Sequence, residues 1–77
     1  MNIQEFIGNF AAQFDDTDEA LITPDTKFKQ LDEWSSLTAL SIIAMVDDEY
    51  DVILKGNDII NSETIQELFD IVCNYKK

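Results

Sequence analysis

A chain of 77 residues with 45% hydrophobic content folds around at most one simple core, since a protein this short hides only about 60% of the surface its unfolded form exposes. Sixteen acidic residues face five lysines, with no arginine and no histidine, for a formal net charge of −11; such a surface repels nucleic acid and favours partners with basic patches, met through salt-sensitive steering. The same composition argues against an enzyme, because it lacks the usual base at neutral pH and the bidentate clamp for a phosphate or carboxylate substrate.

Met1 leads into Asn2, Gln4 and Glu5 without the basic region and apolar run of a secretory signal, so a cytoplasmic location is expected. No stretch approaches the roughly 18 consecutive apolar residues of a membrane span. Ile3, Phe6, Ile7, Phe10 and Phe14 recur at helical spacing, with Asn2 as cap and Glu5 completing a box-like start. This first helix is predicted to stop near Phe14, where Asp15, Asp16, Thr17 and Asp18 favour local side-chain hydrogen bonds and put negative charge at the unfavourable end. Asp16 and Asp18 do not make a calcium loop, since the third ligand position, central glycine and closing glutamate of an EF-hand are missing. A long connection follows through Leu21, Ile22 and Thr23-Pro24-Asp25-Thr26, with Phe28 and Leu31 expected to pin it.

From Ser36 the pattern Leu37, Leu40, Ile43, Ala44, Met45, Val46 and Tyr50 predicts about four turns of helix, capped by Ser35 or Ser36. Ile42 and Met45 widen the apolar stripe past one core face, so one or two apolar residues of this helix are expected at the surface. Gly56 and Asn57 are read as a break after Val52-Ile53-Leu54, and Asp58-Ile59-Ile60-Asn61 as a turn or short helix laying both isoleucines over the core. The last helix is placed from Ser62 or Thr64, where Thr64-Ile65-Gln66-Glu67 fits a capping box, through Ile65, Leu68, Phe69, Val72 and Cys73. Lys76 and Lys77 suit its C-terminal dipole. Cys73, the lone cysteine, allows no internal disulfide and is expected to pack as a small buried hydrophobe. The expected fold class is all-α: a small bundle of three longer helices and one short one with a long first loop, residues 1–77 forming a single domain.

The stretch Asp32-Glu33-Trp34-Ser35-Ser36-Leu37, the acidic helix end Asp47-Asp48-Glu49-Tyr50 and the capped start of the last helix together resemble the acyl carrier protein family, from about Ile3 to Val72. The resemblance implies a four-helix acyl-carrier-like bundle. It implies that Ser36 receives a covalent phosphopantetheine arm from coenzyme A through a separate phosphopantetheinyl transferase, and that the arm's thiol carries acyl or aminoacyl groups as thioesters. No local base is then needed on the carrier, in keeping with the absence of histidine. The partner-binding surface implied by position is Leu37, Ser41, Met45, Asp48 and Glu49, with Ile59 beside it. The partners implied are the transferase and acyl- or aminoacyl-ligase, acyltransferase or synthase enzymes with basic docking patches, met by a monomer; no metal site is expected. Two departures stand out: Ser35 replaces the family's aspartate before the serine, and Thr38 and Ser41 take positions often acidic in fatty-acid carriers. Trp34 resembles carriers of specialised pathways. The first departure motivates an alternative, an unmodified carrier-like acidic module for protein interaction.

Overall fold

The computed structural model describes residues 2–76 and holds four α-helices, α1 (Ile3–Ala11), α2 (Ser36–Tyr50), α3 (Gly56–Ile60) and α4 (Ile65–Tyr75), with 3₁₀ turns at Glu19–Leu21 and Phe28–Gln30 in the first connection. Among the described residues there is no strand and no helix long and apolar enough to cross a membrane. The architecture is the all-α bundle of three longer helices, one short helix and a long first loop. α1 packs on α4 and α2, and α3 packs on α4.

One core joins all four helices. Phe6 and Phe10 of α1, Phe28 of the loop, Ile42 and Val46 of α2, and Ile65, Leu68 and Val72 of α4 are fully buried. An aromatic chain runs through it, with ring centroids 5.4 Å apart for Phe6–Phe69, 5.8 Å for Phe6–Tyr50, 5.6 Å for Phe10–Phe28 and 5.0 Å for Phe28–Trp34. Such pairs contribute about 0.5–1.5 kcal/mol each beyond their area burial. The first loop is pinned by Phe28 and Ile22, both buried, whereas Leu21 is exposed and Leu31 half-buried.

Several boundaries differ from the sequence expectation. α1 ends at Ala11 and continues as a tighter turn, in which Gln13 N and Phe14 N donate to Phe10 O and Ala11 O; Phe14 is still buried, which explains why the apolar spacing runs past the helix. Gly56 begins α3 rather than breaking the chain, because Lys55 N donates to Asp58 Oδ2 at 3.0 Å and closes the first turn from ahead. Of the isoleucine pair only Ile59 enters the core; Ile60 is exposed. Thr64 caps α4 by accepting from Glu67 N, but Glu67 Oε1 accepts from Glu63 N, one residue earlier than a capping box requires. Cys73 is half-buried. Lys76 caps α4 through its backbone N–H, which donates to Cys73 O, while its side chain reaches further: Nζ donates to Tyr50 O at 2.8 Å, satisfying a free carbonyl at the end of α2. Lys77, like Met1, lies outside the described residues.

α2 ends on Asp51, whose backbone is left-handed at φ 58° and ψ 38° and whose N–H donates to Asp47 O. Aspartate is among the few non-glycine residues that adopt this conformation with ease.

Candidate functional site

The chain entering α2 is set by three adjacent residues. Trp34 N donates to Leu31 O at 3.0 Å, and the indole stacks on Phe10 (6.4 Å, 3° between planes) while meeting Phe28 edge-on. Ser35 is extended and caps the helix, its Oγ accepting from Thr38 N at 3.3 Å. Thr38 Oγ1 in turn donates to Glu33 O at 2.9 Å. The cap is thus Ser35, and Ser36, the first residue of α2, is left exposed.

Helix geometry leaves the N–H groups of Ser36 and Leu37 without an intrahelical acceptor, at the positive end of a 15-residue helix. The first turn of α2 contains no acidic residue, so an anion carried on Ser36 would meet donors and a favourable dipole, worth about 0.3–1 kcal/mol at an exposed site. Ser36 also opens onto a groove of about 590 Å³ between α2 and α3, lined largely by Trp34, Ala39, Leu40, Ile43, Ile59 and Ile60. Lys29 belongs to the same wall, and its Nζ donates to Ile60 O at 2.8 Å, tying the C-terminal end of α3 to the loop.

The residues expected at a partner surface divide. Leu37, 75% exposed, and Asp48 lie with Ser36 on one arc of α2, and Ser41 is half-buried at its edge. Glu49 is exposed but follows Asp48 by about 100° around the helix, on another side. Met45 and Ile59 are core residues, 6% and 5% exposed: the helical phase of α2 turns Ile42, Met45, Val46 and Tyr50 inward together, and Ile59 packs inward where α3 meets α4. Met45 therefore leaves the docking surface, whereas Ile59, though buried, still lines the groove onto which Ser36 opens. The sequence reading did not single out Leu40, 61% exposed, for the surface and laid Ile60 over the core rather than at the groove. Their signal was available in part, because Leu40 lies four residues after Ser36 and so on its face.

One further feature has no local sequence signature. The Glu33 carboxylate accepts from Asp15 N at 3.1 Å, from Asp16 N at 3.1 and 3.2 Å, and from the Thr17 hydroxyl. The Thr17 bond, opposed by partial desolvation and aided by the backbone N–H groups, holds its pKa below the ordinary glutamate range. Among the described residues no group of three or more histidine, cysteine or acidic side chains is arranged to hold a metal.

The site is thus an exposed serine at the head of a long helix, beside an apolar groove. The family model of the phosphopantetheine attachment site matches residues 5–72. The chain belongs to this family, whose members hold phosphopantetheine covalently on a serine, in agreement with the acyl carrier resemblance of its motifs. No match was found among curated proteins or among solved structures.

Proposed function

We propose that this chain is an acyl carrier protein whose arm is attached at Ser36 and shuttles thioester-bound groups between enzymes. The observation that carries the reading is the exposed Ser36 at the N-terminus of α2, beside free backbone donors and the α2–α3 groove. In the attachment step Ser36 Oγ bonds to the phosphorus that bears pantetheine in coenzyme A. The bond from that phosphorus to the bridging pyrophosphate oxygen breaks, and the adenosine bisphosphate half leaves with the electron pair. The serine proton passes to a base of the transferase or to solvent. The carrier itself supplies placement, not chemistry.

The apolar groove favours an acyl chain over an aminoacyl group as cargo, since a charged ammonium gains nothing from an aliphatic lining and loses hydration there. The arc of Leu37 and Leu40, ending in Asp47 and Asp48, is the docking face for the transferase and for ligase, acyltransferase or synthase partners with basic patches. Fast exchange suits such a shuttle, and high salt loosens each encounter. We place this activity in a cytoplasmic monomer of one domain.

Intact mass after incubation with coenzyme A, Mg²⁺ and a broad-specificity phosphopantetheinyl transferase tests the reading. The parent gains one phosphopantetheine and Ser36→Ala gains none. The second reading, an unmodified interaction module, is favoured by Ser35 standing where the family has aspartate and serving as a cap to Thr38. It takes over if the folded parent gains no arm while Ser35→Asp does.

A further inference from the structure

We infer that Glu33 is a positioning residue for the modification of Ser36: its carboxylate latches the loop after α1 to the turn that starts α2 and so presets the geometry in which the transferase meets the serine. The inference rests on the carrier reading above. Glu33 is joined in two directions at once. Its side chain accepts from Asp15 N, Asp16 N and the Thr17 hydroxyl, while its own carbonyl accepts from Thr38 Oγ1 inside the first turn of α2. Only Trp34 and Ser35 separate it from Ser36, and Trp34 is held between Phe10 and Phe28.

The latch is formed against the general field of the protein. In a chain of net charge −11, a carboxylate turned toward Asp15 and Asp16 meets repulsion, and charge-assisted hydrogen bonds are the interaction strong enough to hold it there. The Trp34 stack persists without the latch, so its loss frees the turn partly rather than unfolding it. Ser36 then samples several presentations, and a partner that needs one of them sees its apparent affinity fall in proportion to the population of that one.

Initial rates of arm transfer, followed as carrier concentration is varied with coenzyme A saturating, distinguish this role from a general structural one. Glu33→Ala is expected to raise the KM for the carrier about threefold to tenfold, the factor that the net worth of one ordinary exposed hydrogen bond implies, with kcat retained. Glu33→Gln, whose amide oxygen still accepts, gives a smaller rise. Thr17→Val raises KM in the parent and adds little on top of Glu33→Ala. Val72→Ala, a core variant remote from the turn and at least as destabilised, keeps the parental KM. Unchanged KM and kcat in folded Glu33→Ala, or an equal KM rise in Val72→Ala, overturns the positioning role. A parent that takes no arm overturns the carrier reading and this one together; a modified parent with unaffected Glu33 variants overturns the latch alone.

Discussion

α4 and α2 spend their apolar residues differently. In α4, Ile65, Leu68, Phe69 and Val72 follow one helical phase and all are buried, with Ile71 and Cys73 half-buried beside them and only Tyr75, at the helix end, an exposed large apolar residue. In α2 the apolar residues exceed one face: Ile42, Met45, Val46 and Tyr50 enter the core, while Leu37 and Leu40 remain 75% and 61% exposed on the arc that holds Ser36. A single exposed leucine is ordinary. Two on the arc of the candidate modification site, of which Leu40 lines the groove with Ile60, are apolar surface left over by the fold and available to a cargo or a partner. α4 is built for stability, and the first half of α2 for contact.

The sharpest way to break this contrast is to truncate one leucine from each helix. Leu68→Ala removes a fully buried side chain and is expected to cost about 2–5 kcal/mol, lowering Tm by roughly 4–8 °C for each kcal/mol. Leu40→Ala is expected to stay within about 0.5 kcal/mol of the parent while raising the KM of the transferase for the carrier. Thermal unfolding of the two variants side by side decides it. Comparable losses of stability would make Leu40 a core residue and remove it from the docking face.

The difference between the helices also explains what was legible in the sequence. Where apolar residues fall in one phase, as in α1 and α4, their spacing identifies the buried face directly, and Ile65, Leu68, Phe69 and Val72 were read correctly. In α2 the apolar residues cover more than one arc, so periodicity alone cannot say which are turned inward. That is why Met45 was assigned to the surface and the exposed Leu40 was not. The start of α2 at Ser36 was legible from the serine pair ahead of its apolar residues. The links from Glu33 to Asp15, Asp16 and Thr17, from Lys29 to Ile60 O, and from Lys76 to Tyr50 O join residues distant in sequence, and no local pattern announces them. Gly56 was read as a breaker because glycine usually is one; its helix is closed by Asp58 and stabilised further by Tyr75 Oη, which donates to Asp58 Oδ2 at 2.8 Å.

The far end of α2 sharpens the comparison from the side of stability. Asp51 holds a left-handed backbone and adds negative charge where the helix dipole is already negative. Glycine takes that conformation without steric cost and carries no charge. Asp51→Gly is therefore expected to raise stability by about 1 kcal/mol, read as a higher denaturant midpoint at unchanged slope, with arm transfer to Ser36 unaffected. A destabilised variant would mean that the Asp51 side chain makes a compensating interaction at the helix end.

The smallest expected effect separates the latch before α2 from the charge of the whole protein. The Glu33 pKa is lowered in the folded state, first by the Thr17 hydroxyl bond. Its contribution to stability is therefore fully present above the unfolded glutamate value of about 4.3 and is lost as pH falls through the lower folded value. Acidification also relieves repulsion in a chain of net charge −11, which acts in the opposite direction. The quantity to measure is the difference in stability between the parent and Glu33→Gln, since the background cancels in it. That difference should be flat from neutral pH down to about 5 and then shrink as Glu33 protonates. A difference that grows with acidification would reverse the sign of the shift, and one that never changes would leave the carboxylate no more strongly bound in the folded chain than in the unfolded one.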